Sequence, residues 1–159
     1  MAEKTKKISK EKIERTKIDG KLIAVIRISG EVKVKPAVKY TLDRLRLRRK
    51  YSCILINNSN KGLMGMLKKI RFSVAYGIIS TEALAALLKA RGYKIDKAKF
   101  NSDEIAMELI SGKKLEQLGF KPFFRLHPPR GGIKSKLQYP KGVLGDNKEN
   151  INKLVMRML

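Results

Sequence analysis

The chain alternates short, nearly continuous apolar runs with stretches in which apolar residues recur every three or four positions. LIAVIRIS (22 to 29) is a β-branched run closed by Gly30, the pattern of a buried strand. YSCILIN (51 to 57) repeats it, and FSVAYGII (72 to 79), with Val, Ile and aromatics, predicts a third strand. Between the first two, Pro36 suits a first helical turn, and Val38, Leu42 and Leu45 follow at i, i+4 and i+7. On that wheel Lys39, Arg46 and Lys50 fall roughly 80 to 120° from the apolar stripe, so the predicted helix is apolar inward and basic outward. NNSNKG (57 to 62) is a loop of turn formers, and Leu63, Met66, Leu67 and Ile70 predict a second basic amphipathic helix.

The second half reads as helices and loops. STEALAALLKARG (80 to 92) has Ser80 as N-cap, Glu82 near the positive helix end, Leu84, Leu87 and Leu88 on one face, and Gly92 as stop. SDEIAMELI (102 to 110) predicts a short helix capped by Ser102 and ended by Gly112. DNKENINKLVMRM (146 to 158) has an Asp146/Glu149 capping-box pattern and apolar Ile151, Leu154, Val155 and Met158. The aromatics of RFSVAYG (71 to 77) are assigned to core packing, because the glycine and aromatic spacing of a base-stacking strand is missing. Residues 1 to 21 are Lys-rich and poor in apolar residues, which predicts an arm that is disordered when free. The expected organisation is therefore an arm (1–21), a core (22–79) and an extension packed on it (80–159).

Charge changes the picture. Lys and Arg together number 37 against 14 Asp and Glu, a surplus of 23 in 159 residues, and such self-repulsion calls for a polyanionic partner. Residues 33 to 71 hold twelve basic side chains against one acid, Asp43, and residues 121 to 142 add six basic residues and no acid. Residues 80 to 120, by contrast, nearly balance seven basic residues with six acidic ones. The partner is expected to meet two regions. No apolar run approaches the roughly 20 residues that span a bilayer, and MAEKTKKISK lacks the apolar stretch of a signal peptide, so a cytosolic nucleic-acid partner is expected and a membrane is not.

Catalytic chemistry has little to work with. Cys53 is the only cysteine and sits in the apolar run SCILI, as a small core residue would. His127 is the only histidine and flanks a proline; Asp103, Glu104 and Glu108 fall at helix-starting or solvated positions. Neither GxGxxG nor Walker spacing occurs, so no catalytic residue, metal site, cofactor or small-molecule substrate is assigned. The most distinctive string is HPPRGG (127 to 132): two prolines stiffen the chain, Arg130 can fork onto phosphate oxygens, and Gly131 and Gly132 let backbone approach an anion.

The strand plus glycine LIAVIRISGEV, the helix string TLDRLRLRRKYSCIL, GMLKKI, the YG of the third strand and above all FRLHPPRGGIK together resemble a known family. It is the universal large-subunit ribosomal protein called L-thirty in bacteria, in its longer archaeal form, with the eukaryotic name L-seven. The resemblance covers about residues 22 to 159. It implies an α+β fold: a split β-α-β-α-β core with a three-stranded antiparallel sheet and helices on one face, plus a C-terminal helical and loop extension. It also implies a non-enzymatic, cytoplasmic constituent of the large ribosomal subunit. The implied partners are large-subunit rRNA near 5S rRNA, with 5S rRNA itself a further candidate, and other large-subunit proteins. Bacterial and many archaeal members have Arg-Gly-Met where this chain reads Met64-Gly65-Met66, which would leave Lys61, Lys68 or Lys69 to supply that charge.

The candidate rRNA-binding residues are Lys39, Arg44, Arg46, Arg48, Arg49 and Lys50 in the first basic region, with Lys61, Lys68, Lys69 and Arg71 after it. The second region contributes Arg125, His127, Arg130, Gly131, Gly132, Lys134 and Lys136. Charge alone would also suit a free nucleic-acid binder such as a chromatin protein or RNA chaperone. An RNA-modifying enzyme would need a cofactor loop or paired catalytic groups.

Overall fold

The computed structural model describes residues 22–32, 34–95 and 100–159; the arm expected over residues 1–21 lies outside them. Three strands, β1 (Leu22–Arg27), β2 (Ser52–Asn57) and β3 (Val74–Ile78), form the centre of the sheet, with β1 between the other two and antiparallel to both. Helix α1 (Pro36–Arg44) connects β1 to β2, and helix α2 (Lys61–Ile70) carries the chain across β1 from β2 to β3. The β-α-β-α-β order is as expected.

The sheet has five strands rather than three. Two-residue strands β4 (Phe124–Arg125) and β5 (Gly145–Asp146) add to its edges in the order β4-β2-β1-β3-β5, β4 antiparallel to β2 and β5 parallel to β3. Such short pairings cap an edge without needing the β-branched run that marks a strand in sequence.

Every residue of β1 is buried because the sheet is covered on both faces. Ile23 and Val25 join Leu42 of α1, Leu67 and Ile70 of α2, and Leu45 and Leu47 in one apolar cluster. Leu22, Ala24 and Ile26 point the other way. There they meet helices α3 (Thr81–Arg91), α4 (Ser102–Ile110) and α5 (Ile151–Met158) through Leu84, Leu87, Leu109, Ile151 and Val155. The two crossover helices do share one face, as expected of the core; the other face belongs to residues 80–159. At Gly77 of β3 the chain leading into α5 comes close, since a Cβ there would collide with the Lys148 carbonyl oxygen and crowd Ile151 of α5.

Local signals explain most boundaries. The Ser80 side chain accepts a hydrogen bond from Ala83 N, and α3 stops before Gly92, as predicted. Asn101, not Ser102, caps α4, accepting from Asp103 N, while Gly112 (φ +104°) ends it as expected. The predicted capping box at 146 to 149 is absent: Asp146 Oδ1 accepts from Lys148 N two residues on, closing an Asx turn that leads into a 3₁₀ turn (Lys148–Asn150) before α5.

The larger correction concerns α1, which ends at Arg44, so Arg46 and Lys50 are not on a helix. Leu47 N donates to Leu42 O and Arg46 N to Asp43 O, the paired bonds of a Schellman stop, with Arg46 in the left-handed conformation (φ 59°) that glycine usually takes. Beyond it the repeat becomes two: Leu45 and Leu47 are buried, and Arg44, Arg46 and Arg48 are exposed.

Candidate nucleic-acid interface

Because β1 runs antiparallel to its neighbours, its C-terminal end lies beside the N-terminal ends of β2 and β3. Segments 28–31, 45–51 and 71–73 therefore meet at one end of the sheet, tied by Tyr51 N donating to Arg27 O (2.7 Å) and by Ile28 N and Ser29 N donating to Ser73 O (3.1 Å each).

The residue that builds this end is Arg27, which is only 1% exposed. Its guanidinium donates to four carbonyls: Nη1 to Leu47 O (2.7 Å) and Arg48 O (2.6 Å), Nη2 to Gly30 O (3.1 Å), and Nε to Ser29 O (3.0 Å). Glu31 lies 3.8 Å away but is half exposed, a distance and setting at which an ion pair contributes little. Arg27 thus acts through carbonyls, pinning the segment on which Arg48, Arg49 and Lys50 stand exposed. Sequence reading treated it as one more position in an apolar strand. The available signal was that it is the only charged residue in LIAVIRIS.

The second basic region closes on the same end from both edges. Arg125 pairs with Ser52 across β2 and β4, and Leu126 N donates to Tyr51 O (3.0 Å), leading the chain into HPPRGG. At the other edge Gln138 Nε2 donates to Arg71 O (3.3 Å). Arg71 lies over the ring of Phe72 (4.8 Å to the centroid), and Phe72 is 61% exposed, not in the core as the sequence had suggested. The other aromatic of that string, Tyr76, is half-buried against the α1 and α2 cluster.

HPPRGG is held against α5. Arg130 N donates to Arg157 O (2.9 Å), and the Arg157 side chain returns two bonds to Arg130 O (Nε 3.0 Å, Nη2 2.6 Å) and one from Nη2 to Gly132 O (2.9 Å). Pro129 is buried, His127 and Arg130 are exposed, and Gly131 (φ 77°) and Gly132 (φ 69°) both take the left-handed conformation. Arg157 was not singled out in the sequence, where it is an ordinary basic residue in a helix's last turn.

A second basic surface lies along α1 and α2. Tyr40 and Arg44 of α1 face Gly62, Gly65, Met66 and Lys69 of α2 across a shallow groove, and the Arg44 guanidinium lies 5.8 Å from the Tyr40 ring centroid. Among the described residues no carboxylate lines it. A Cβ at Gly65 would meet nothing within 4 Å, so this glycine does not serve helix packing. Met64 and Met66 pack against the α1 and α2 cluster.

The remaining candidates separate. Lys61 begins α2, after the C-terminal end of β2, and so lies at the opposite end of the sheet from Arg48–Lys50. Lys68 and Lys69 are exposed in the last turn of α2. Arg46 Nη1 is 2.7 Å from Glu116 and joins the core to the extension. Lys39 lies 3.8 Å from Glu31, and Lys134 and Lys136 are exposed beyond the HPPRGG loop. Cys53 is fully buried and its thiol is pushed up to about 12 by burial, which removes it as a nucleophile.

The family described as Ribosomal protein L30p/L7e matches residues 23–74, from β1 to the start of β3. Relatives match over far more. The large ribosomal subunit protein uL30 of Ignicoccus hospitalis is 40% identical over 87% of this chain and 98% of its own length. Its counterpart in Archaeoglobus fulgidus is 40% identical over 86% and 99%, and that of Aeropyrum pernix 38% identical over 87% and 99%. With relatives of this similarity matched over nearly their whole length, the chain belongs to the L30p/L7e family of ribosomal proteins, whose members are structural and not enzymes.

Proposed function

We propose that this chain is a structural constituent of the large ribosomal subunit, in the cytoplasm, that binds large-subunit rRNA near 5S rRNA and packs among other subunit proteins. The observation that carries the reading is the convergence at one sheet end of Arg48, Arg49, Lys50, Arg71 and Arg125, from two basic regions separated in sequence, with the first three held by the buried Arg27, Arg71 by Gln138 and Arg125 by β-pairing. Cations anchored in this way match the phosphate backbone of a folded RNA, while the exposed Phe72 and Tyr40 rings beside arginines offer surfaces for unstacked bases. The α1–α2 groove and the HPPRGG loop extend the contact. Residues 22–79 form the rRNA-binding core, residues 80–159 the archaeal and eukaryotic type of extension, and residues 1–21 a basic arm.

The test is cosedimentation with large subunits at physiological salt, followed by titration of purified large-subunit rRNA. With about six to ten phosphate contacts, affinity should fall by roughly 10³ to 10⁵ between 50 and 200 mM salt on the duplex-DNA scale, somewhat less on single-stranded RNA. A chromatin protein would pellet with DNA instead. A nearly flat salt profile would refute the proposal, and crosslinks that reach the large rRNA but never 5S rRNA would remove its 5S component.

A further inference from the structure

Between the loop that follows Gly132 and helix α5 lies a hollow of about 300 Å³. Ile133, Leu154 and the half-buried Tyr139 give it an apolar and aromatic lining, Lys134, Lys141, Lys153 and Arg157 are its cations, and among the described residues no carboxylate lines it. Its walls are fixed by the protein. Arg157 holds the carbonyls of Arg130 and Gly132 on one side. Val143 N donates to Ser135 O (3.2 Å), and the Asn150 side-chain amide donates to the Tyr139 hydroxyl (2.7 Å). At Gly142 a Cβ would collide with the Leu137 backbone, so the chain closes tightly there.

The flank of an RNA duplex offers such a surface phosphates and 2′-hydroxyls but no free base face, and exposed lysines suffice for it. A preformed hollow with an apolar floor and a cationic rim suits a different ligand, a nucleotide turned out of its stack, with its base inside and its phosphates on the rim. The Tyr139 hydroxyl accepts from Asn150 and so keeps its own hydrogen to donate to a base oxygen or nitrogen. We infer that this hollow receives one unstacked nucleotide of rRNA. The inference rests on the reading of the chain as an rRNA binder and adds a site at which a base, beyond the backbone, is recognised.

The experiment compares the full-length chain with Asn150→Trp, which fills the hollow without changing charge at an exposed position, and with Lys153→Gln, which removes one rim cation. Each is bound to purified large-subunit rRNA, with affinity read across a salt series and the RNA probed by base-directed chemical modification. In the wild-type complex one unpaired base is protected. Asn150→Trp loses that protection and binds about tenfold more weakly with the salt slope kept, as expected for one lost stacked base. Lys153→Gln keeps the protection and lowers the slope by about one. A thermal melt checks the fold; should Asn150→Trp melt early, Lys134→Trp fills the hollow from the loop side and serves the same comparison. If the filled variants keep the wild-type footprint and bind within twofold of it, after allowance for the charge lost in Lys134→Trp, the hollow holds no nucleotide and the inference falls, while steep salt-dependent binding leaves the proposed function standing. Absence of salt-dependent binding by the wild type overturns both.

Discussion

Replacing Arg27 with methionine tests whether the basic end of the sheet is built from inside. The substitution keeps most of the buried volume and removes the donors that satisfy the carbonyls of Ser29, Gly30, Leu47 and Arg48. The bond to Leu47 is buried, and leaving such an acceptor unpaired costs about 1–3 kcal/mol; the other three are partly buried, where water can replace the donor and the cost of each is a fraction of that. Together the loss should reach roughly 2–5 kcal/mol, less whatever is recovered by no longer burying a charge. Urea denaturation with an unchanged m-value measures it, and at about 2–4 °C per kcal/mol for a chain of this size the melting point should fall by roughly 4–20 °C. Arg27→Lys should be intermediate, because one ammonium cannot span four acceptors in a planar fork. The same variant should weaken rRNA binding although Arg27 is too buried to touch RNA, because Arg48, Arg49 and Lys50 lose their common support. A methionine variant within about 1 kcal/mol of wild type in stability and unchanged in rRNA affinity would refute the argument.

Other expectations concern single contacts. Arg130→Ala should cost about 1–3 kcal/mol of rRNA binding and lower the salt slope by about one, whereas Gly131→Val should weaken binding with the slope nearly kept, because it strains a backbone at φ 77°; wild-type binding by both would reduce the loop to a surface turn. Gly65→Ala should stabilise the free protein by roughly 0.5–1 kcal/mol in denaturation, since a helix interior gains and no described atom lies within 4 Å of the added Cβ, and should weaken rRNA binding if RNA fills the groove; unchanged rRNA affinity would mean the groove is unoccupied. Cys53 should resist thiol reagents at pH 8 until the protein unfolds. Its folded value of about 12, against an ordinary 9.0, means the unfolded chain ionises first. Stability should therefore fall by up to about 1.4 kcal/mol per pH unit above 9 from this group, and rapid labelling of the native protein would contradict its burial.

Much of the fold was legible because local pattern and tertiary role agree. Strand β1 is a β-branched run buried on both faces, β2 and β3 are apolar runs buried at most positions, and α3 carries its own cap and a terminal glycine. Misreadings arose where one pattern served two periods. In Leu42 to Arg48 the leucines suit a helix until Leu45 and then a buried and exposed alternation, and only the left-handed Arg46 marks the change. Strands β4 and β5 are two residues each and pair through backbone, leaving nothing periodic to read. At the proposed interface, charge density located both basic regions, but the groups that fix their geometry, Arg27 and Arg157, bond to carbonyls. Composition does not distinguish an arginine that faces a carbonyl from one that faces solvent.

The two-sided covering of the sheet has a consequence for the order in which the chain matures. Once residues up to Ile79 have left the ribosome that makes them, α1 and α2 can close their side, yet Ala24, Ile26, Cys53 and Ala75 on the reverse still lack Val155 and Met158. The nascent protein therefore carries an apolar face only partly covered, by α3 and α4, until α5 is synthesised, while its cationic end has already been translated. Early capture of that end by RNA would hold unfinished chains apart during the interval in which they are most prone to stick to one another.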